Sequence, residues 1–196
     1  MIKIGLTGNI ASGKSEATKI FNKLGIKTLC ADTIVHNLFE ETKIKKLIIN
    51  SFKNYDILTD NELDRKKLGK IVFNNKEKKE ELEKILHPIV IQKINKFYQE
   101  NQSENLIIID VPLLFENNLE YLFDKIILIY ANDNIRFERI KKRNNFDDEH
   151  IKNIMKSQLS QESKKEKTDF IIINENKTLL ELETEITELI DRIKWF

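Results

Sequence analysis

The chain has 196 residues, which is enough for one globular domain with at most a small inserted subdomain. Its formal net charge is only +1, and 33% of its residues are charged, so no global field favours nucleic acid or membrane partners. A single cysteine, Cys30, excludes an internal disulfide, and no signal peptide or membrane-length apolar run is visible, so we expect a cytoplasmic protein.

A strand over Ile2–Leu6 and a helix from Ser15 to Leu24 are the first predicted elements, and residues 8–15 between them read G-x-x-x-x-G-K-[ST]. In this context the backbone N–H groups of such a loop form a concave anion site at a helix N-terminus. Lys14 can then reach the β- and γ-phosphates, and the Ser15 hydroxyl can bind Mg²⁺. A turn that serves only the backbone explains the two glycines, but it does not explain Lys14 and Ser15. We therefore predict a bound nucleoside triphosphate, with candidate ligands Gly8, Asn9, Ile10, Ala11, Ser12, Gly13, Lys14, Ser15 and Glu16.

Further apolar runs indicate strands of one sheet, and helical patterns separate them. With Ile2–Leu6 they are Lys27–Cys30, Leu106–Ile109, Ile126–Tyr130 and Phe170–Ile173. Continuous apolar runs are typical of parallel strands buried on both faces, so the pattern predicts an α/β fold, a five-stranded parallel sheet in three α/β/α layers. Asp32 and Asp110 follow two of these runs, and the carboxyl ends of parallel strands bind ligands, so we expect both near the glycine loop.

Asp32 and Asp110 each allow two interpretations. Asp32 is placed to orient an attacking hydroxyl and accept its proton, and equally to cap a helix that begins near Ile34. Asp110 completes a hydrophobic-strand-plus-Asp pattern that is typical of a Mg²⁺ ligand, either directly or through water. Its alternative is a turn before Pro112.

The stretch between the second and third predicted strands indicates a helical insertion. Its predicted helices cover Ile34–Phe52, Arg65–Asn74, Lys76–Leu86 and a segment that follows Pro88 through Tyr98. His36 lies four residues after Asp32, on the same helix face, whereas His87 is interpreted as marking the end of a helix. The three histidines show no metal-ligand spacing, which argues against zinc.

After the fourth strand, a predicted helix over 134–143 carries Arg136, Arg139 and Arg143 about one turn apart. Guanidinium groups on a closing lid stabilise charge during phosphoryl transfer. We assign that function to Arg139 and Arg143 and a surface role to Arg136. A polar helix over about 148–157 completes this stretch.

The last predicted helix has apolar residues at three- and four-residue spacing, namely Leu179, Leu182, Ile186, Leu189 and Ile193. Thr178 and Glu181 form a capping box at its start. Packing of this helix onto the sheet of its own chain is favoured over a coiled coil.

Several separated motifs, taken together, resemble those of the dephospho-coenzyme A kinase family over nearly the whole chain. Residues 4–15 are similar to its loop G-L-T-G-G-I-G-S-G-K-S, and Cys30-Ala31-Asp32 with His36 to its D-A-D-x-x-x-H/R segment. The other matching positions are Leu63-Asp64-Arg65, Leu68, Val72-Phe73, Leu86-His87-Pro88-Ile89, the P-L-L-F-E element at 112–116, Arg143, Gln158, Lys164 and Asp169–Asn174.

The resemblance implies ATP-dependent phosphorylation of the ribose 3′-hydroxyl of dephospho-CoA with Mg²⁺, the final step of coenzyme A synthesis, and no obligate protein partner. It implies a P-loop core over 1–32, 104–135 and 168–196, a coenzyme-binding insertion over about 33–103 and a lid over about 136–167. Carried onto this chain, the catalytic residues are Asp32, Lys14, Arg139 and Arg143. From its place after the last predicted strand, Asn174 is a candidate for ATP, and the sequence patterns around Ser15 and Asp110 make these two the candidates for Mg²⁺. The candidate substrate-binding residues are Asp32, His36, Arg65, His87, Pro112, Leu113 and Leu114.

Asn9 and Ala11 depart from this pattern, because each replaces a glycine of the family's loop. Both residues are small, and we expect phosphate binding to survive. The alternative is another small-molecule or nucleoside monophosphate kinase of the P-loop class. A GTPase switch is disfavoured because the chain has no N-K-x-D motif.

Overall fold

The computed structural model of the chain describes residues 1–143 and 146–194. Within this range the strands are β1 Ile2–Thr7, β2 Lys27–Cys30, β3 Leu58–Thr59, β4 Glu62–Leu63, β5 Leu106–Asp110, β6 Lys125–Tyr130 and β7 Phe170–Ile173. The α-helices are α1 Lys14–Lys23, α2 Ala31–Leu38, α3 Thr42–Ser51, α4 Arg65–Asn74, α5 Lys76–Glu100, α6 Asp133–Arg143, α7 Asp148–Lys156, α8 Gln161–Lys165 and α9 Leu179–Lys194, and a 3₁₀ helix covers Glu120–Leu122.

The chain forms two compact units, one made of residues 1–30 and 100–196 and the other of residues 31–99. The first unit contains a five-stranded sheet in the order β2-β5-β1-β6-β7. Every neighbouring pair in this sheet is parallel. The predicted parallel α/β sheet is therefore confirmed, with β1, β5 and β6 each one residue longer than expected.

Helices α1 and α9 contact each other and cover one face of this sheet. Their buried residues include Phe21 of α1 and Ile186 of α9, both 0% exposed. The predicted capping box is confirmed, because the Thr178 N–H donates to Glu181 (2.8 Å) and the Glu181 N–H donates to the Thr178 hydroxyl (3.3 Å). Leu179 is 59% exposed, so its assignment to the buried stripe is wrong, since the first turn of α9 extends past the core.

Burial differs between the centre and the edge of the sheet. All five residues of β5 are buried, as a strand covered on both faces requires. The edge strand β2 has one exposed and three half-buried residues, so the expectation of full burial is wrong there. Cys30, at its end, is a free and half-buried cysteine.

The second unit is mainly helical and has its own buried residues, among them Leu38, Ile48, Phe52 and Ile94, each fully buried. Two predictions are wrong here. The single helix expected over Ile34–Phe52 is divided into α2 and α3, and the helix expected to end at His87 continues as α5, with Pro88 inside it. A proline inside a helix removes one backbone hydrogen bond and crowds the carbonyl one turn earlier, at a cost of about 3 kcal/mol. The buried residues Leu86, Val90 and Ile94 lie on both sides of Pro88, so packing sustains the helix.

The small antiparallel pair β3–β4 of the second unit was not predicted. Its turn residues Asp60 and Asn61 have φ angles of 50° and 62°. Such left-handed pairs form two-residue hairpin turns, for which Asp and Asn are favoured, so the sequence did contain this signal. No helix among the residues described here has both the length and the apolar character needed to span a bilayer.

Candidate active site

The glycine loop connects β1 to α1 and has two left-handed residues. Gly13 has φ 98°, and a Cβ at this position would lie 1.9 Å from the Asn174 amide nitrogen, so only glycine fits. Ala11 has φ 62°, a conformation that costs an L-residue about 1–2 kcal/mol. The loop is therefore held in a shape that its own sequence does not favour at Ala11.

Side chains from outside the loop hold its carbonyl oxygens. Arg136 Nε donates to the Ile10 oxygen (3.0 Å), and Arg139 Nη1 donates to the Ala11 oxygen (3.2 Å). Asn174 Nδ2 donates to the oxygen of Ser12 (2.9 Å).

The anchored carbonyls decide where the loop's N–H groups point. The described residues contain no cis peptide bond, so the C=O of one residue and the N–H of the next point in opposite directions. The N–H groups of Ala11 and Gly13 consequently face away from the anchors, towards the concave side of the loop. The free N–H groups at the start of α1 add to them, which makes an anion-binding nest.

Arg136 is only 2% exposed, so the predicted surface role for this residue is wrong. Its Nη1 atom forms an ion pair with Asp133 at 2.7 Å. Burial lowers the pKa of Arg136 from its ordinary value, and the charge of Asp133 opposes that shift. One feature of the sequence did indicate a specific contact for this residue, namely an arginine in a chain rich in lysine. A planar guanidinium suits hydrogen bonds to two partners at once.

Lys14, the first residue of α1, forms an ion pair with Asp110 at the end of β5. Both side chains are largely buried, with 13% and 6% of their surface exposed. The Thr18 hydroxyl lies 3.2 Å from the second carboxylate oxygen of Asp110. The structure therefore brings together two predicted site residues from separate parts of the chain.

Ser15 and Asp110 are the candidates for Mg²⁺. Ser15 is exposed in the first turn of α1, and the Asp110 carboxylate is held at the same end of the sheet by Lys14. The described residues contain no group of three or more His, Cys, Asp or Glu side chains that could hold a metal ion. Mg²⁺ at kinase sites takes one or two protein oxygens together with phosphate and water, so this pair fits the ion.

The other predicted site residues of the first unit are spread around the loop. Glu16 is exposed and pairs with Lys19 at 2.7 Å. Arg139 is half-buried against the loop, and its Nη2 atom also donates to the Asn174 oxygen (2.9 Å). Arg143 is exposed in the last turn of α6.

The segment 112–114 follows β5. The Pro112 oxygen accepts hydrogen bonds from the Thr7 hydroxyl (3.2 Å) and from Lys164 Nζ (3.3 Å). Leu114 is fully buried, and a Cβ on Gly5 would lie 2.7 Å from it, whereas Pro112 and Leu113 are half-buried. The Leu114 side chain therefore packs in the core, and only its backbone is left to contact a substrate.

Three predicted substrate residues of the second unit have defined surroundings. Asp32 is exposed in the first turn of α2, two residues along the chain from the end of β2. His36 Nδ1 lies 3.2 Å from Arg65 Nη2, and the Arg65 guanidinium stacks 4.8 Å above the ring of Phe39. His87 lies half-buried within α5 and, among the residues described, forms no hydrogen bond with either His36 or Arg65. The approach of Asp32 to Asp110 stays a prediction.

A family model described as dephospho-CoA kinase matches residues 2–179 of the chain. The chain belongs to the dephospho-CoA kinase family. It is 41% identical over 171 residues to a dephospho-CoA kinase of Fusobacterium nucleatum, an alignment that covers 87% of this chain and 88% of that protein. The recognition of the family from sequence motifs is thereby confirmed.

Solved structures agree with the fold. A dephospho-CoA kinase from Campylobacter jejuni is 36% identical, with a TM-score of 0.71 over 98% of this chain and 96% of that one. A Thermus thermophilus protein is 25% identical, with a TM-score of 0.87 over 97% of both chains. The predicted fold class, a P-loop kinase core around a five-stranded parallel sheet, is confirmed.

Proposed function

We propose that this protein transfers the γ-phosphoryl group of ATP to the ribose 3′-hydroxyl of dephospho-CoA, which yields ADP and coenzyme A. The observation that carries the proposal is the anchored glycine loop with Lys14 paired to Asp110, found in a chain of the dephospho-CoA kinase family. The final step of coenzyme A synthesis is the corresponding biological role.

The donor half of the site is the loop over residues 8–15. Its inward N–H groups bind the β- and γ-phosphates, and Lys14 exchanges the Asp110 carboxylate for phosphate oxygens when ATP binds. An ammonium on a flexible stem suits this exchange, because it can follow the transferred group as a mobile point charge. Glu16 and Asn174 lie beside this half of the site, where Asn174 also shapes the loop through the Ser12 carbonyl.

Mg²⁺, when bound with ATP, neutralises charge on the β- and γ-phosphates. Ser15 would supply a hydroxyl oxygen for the ion, and Asp110 would supply a carboxylate directly or through water. Release of Asp110 from Lys14 would make the carboxylate available to the ion and the ammonium group available to the phosphates.

The acceptor half is assigned to the insertion over 33–103 together with Asp32. Asp32 orients the 3′-hydroxyl and accepts its proton as the phosphoryl group transfers. Arg65 contacts His36 and the ring of Phe39 and lies 3.7 Å from Glu40. A guanidinium beside an aromatic ring suits a nucleoside with an attached phosphate. His87 and the segment 112–114 complete the assigned contacts to the coenzyme.

Charge that develops on the transferred group is stabilised by arginines of the lid over 136–167. Arg143 is exposed at the end of α6 and is free of the loop carbonyls that Arg139 holds. We therefore assign the contact with the phosphoryl group to Arg143 first. Arg139 contributes when nucleotide binding reorganises its hydrogen bonds to the loop.

The test is a coupled assay with purified protein, ATP, Mg²⁺ and dephospho-CoA, with the product identified by mass and by 31P NMR as the 3′-phosphate. We expect stoichiometric ADP and coenzyme A. AMP and shikimate serve as alternative acceptors and should not support turnover. Phosphorylation of AMP but not of dephospho-CoA would instead support a nucleoside monophosphate kinase.

A further inference from the structure

A pair of hydrogen bonds joins the glycine loop to the segment after α7. Each segment contributes two neighbouring residues. Asn9 Nδ2 donates to the Leu159 oxygen (2.8 Å), and the Ile10 N–H donates to Gln158 Oε1 (2.9 Å). We call these two hydrogen bonds the amide clasp. Each bond joins a side-chain amide on one segment to the backbone of the other, so neither segment can shift alone without breaking a bond.

The clasp is itself anchored to the core by a buried ion pair. Glu116 Oε1 accepts the Leu159 N–H (2.9 Å) and also pairs with Lys164 Nζ (2.9 Å). Lys164 is 0% exposed, and its Nζ also donates to the Pro112 oxygen, next to the end of β5. Burial lowers the pKa of Lys164, an effect that the charge of Glu116 opposes. The position of residues 158–159 is thus tied to the sheet that carries the glycine loop.

Both backbone polar groups of Ile10 form hydrogen bonds, and one of these bonds belongs to the clasp. Gln158 binds the N–H of Ile10, and Arg136 binds its C=O. With both groups held, Ile10 has little freedom to rotate, and the Ile10–Ala11 peptide that follows keeps its N–H directed into the nest. This matters most at Ala11, whose left-handed φ of 62° is unfavourable without external support.

We propose that Asn9 and Gln158 are positioning residues for the phosphoryl donor, which act through the glycine loop and touch no reacting atom. Asn9 is 3% exposed and uses its side chain for this contact, which a glycine at the same position could not make. Ala11 does not by itself favour the conformation of the glycine loop. The clasp therefore holds the loop in this conformation through a tertiary contact. This inference rests on the proposed function only where turnover of dephospho-CoA is measured, because nucleotide binding is measured in a separate experiment.

The experiment compares Gln158→Met, Asn9→Ala and the double variant with the wild type. Gln158→Met keeps the side-chain length but removes the acceptor oxygen. By calorimetry at 25 °C we expect Kd to rise about tenfold for ATP and for inorganic tripolyphosphate, and to change less than twofold for dephospho-CoA. Because both bonds belong to one clasp, the Kd of the double variant for ATP should be at most twofold higher than the Kd of the single variant that binds ATP less tightly.

The matched control is Gln102→Met, an exposed glutamine after α5. It should leave every Kd and the melting temperature unchanged. A purely structural role for the clasp would lower the melting temperature and leave the phosphate affinities of the folded protein within twofold of wild type, which would overturn the proposal. Single-variant effects that multiply in the double variant would overturn it as well. Tight, clasp-dependent ATP binding without any turnover of dephospho-CoA would refute the proposed function and leave the positioning role standing.

Discussion

Lys164 and Glu116 form an ion pair of 2.9 Å in which the lysine is 0% exposed and the glutamate only 11%. Removal of one partner leaves an uncompensated buried charge, which costs about 3–5 kcal/mol. We expect Lys164→Met to lower the free energy of unfolding by that amount in urea titrations.

The double variant Glu116→Gln/Lys164→Met removes both charges, and its glutamine can still accept the Leu159 N–H. The double variant should therefore regain at least about half of the free energy of unfolding that Lys164→Met loses. If Lys164→Met changed stability by less than about 1 kcal/mol, the pair would not be buried as described.

Lys14 is expected to be indispensable for turnover. Lys14→Ala removes the only cation placed by the glycine loop motif to follow the transferred phosphoryl group, and a loss of this kind typically costs about 10²–10³-fold or more in kcat. Steady-state assays with ADP detection measure it. Lys19→Ala, an exposed lysine of the same helix, is the control and should retain wild-type turnover.

Asp32 is expected to affect the chemical step and not donor binding. Asp32→Asn keeps the size and hydrogen-bonding oxygen but cannot accept a proton at neutral pH, so kcat should fall by about 10²–10⁴-fold. The Kd for ATP should stay within twofold. Asp60→Asn, in the exposed turn between β3 and β4, controls for charge, and a near-normal kcat in Asp32→Asn would show that another group is the base.

Ala11 offers a stabilising substitution. Glycine adopts φ 62° without steric cost, so Ala11→Gly should raise the free energy of unfolding by about 0.5–1 kcal/mol after allowance for the more flexible unfolded chain. Urea midpoints provide the measurement. Ala17→Gly, inside α1, should lower stability by about 1 kcal/mol or more, since glycine is a poor helix former and the Ala17 methyl group is buried in the core. Loss of stability in both variants would contradict strain at Ala11.

Tyr130 provides a pH-dependent test. Its hydroxyl donates to Glu162 Oε1 at 2.8 Å, and this hydrogen bond, followed by burial and the Glu162 charge, raises the pKa of Tyr130 to about 12. Because the pKa in the folded state is above the ordinary value of 10, the contribution to stability is complete below pH 10 and is lost as pH rises towards 12.

In 13C NMR of labelled tyrosine at pH 11, the Tyr130 ring should remain mostly protonated. Glu162→Gln should lower its pKa towards 10, so that most of the ring is ionised at the same pH. Glu166→Gln, an exposed neighbour on the chain, should leave the Tyr130 titration unchanged. Equal titration curves for Glu162→Gln and the wild type would show that the Tyr130–Glu162 bond is absent in solution.

Prediction from sequence succeeded where a feature depends on residues close together in the chain. Strands β2 and β7 and helix α4 match their predicted ends, and the capping box of α9 forms as expected. It failed at Pro88, where local rules favour a helix end but burial on both sides of the proline keeps α5 continuous. Packing energy over many residues exceeds the cost of the lost backbone hydrogen bond and of the crowding by the proline ring.

The sequence by itself determined the glycine loop, the five strands of the sheet and the family, because each depends on residue types at short, regular spacing. Only the tertiary structure decided that Arg136 is buried against the loop and that Gln158 and Asn174 bind it from distant parts of the chain. A side chain's partner across such distances depends on how strands and helices pack. That packing holds the carbonyls of Ile10, Ala11 and Ser12 against side chains from outside the loop, so the N–H groups of Ala11 and Gly13 point the opposite way.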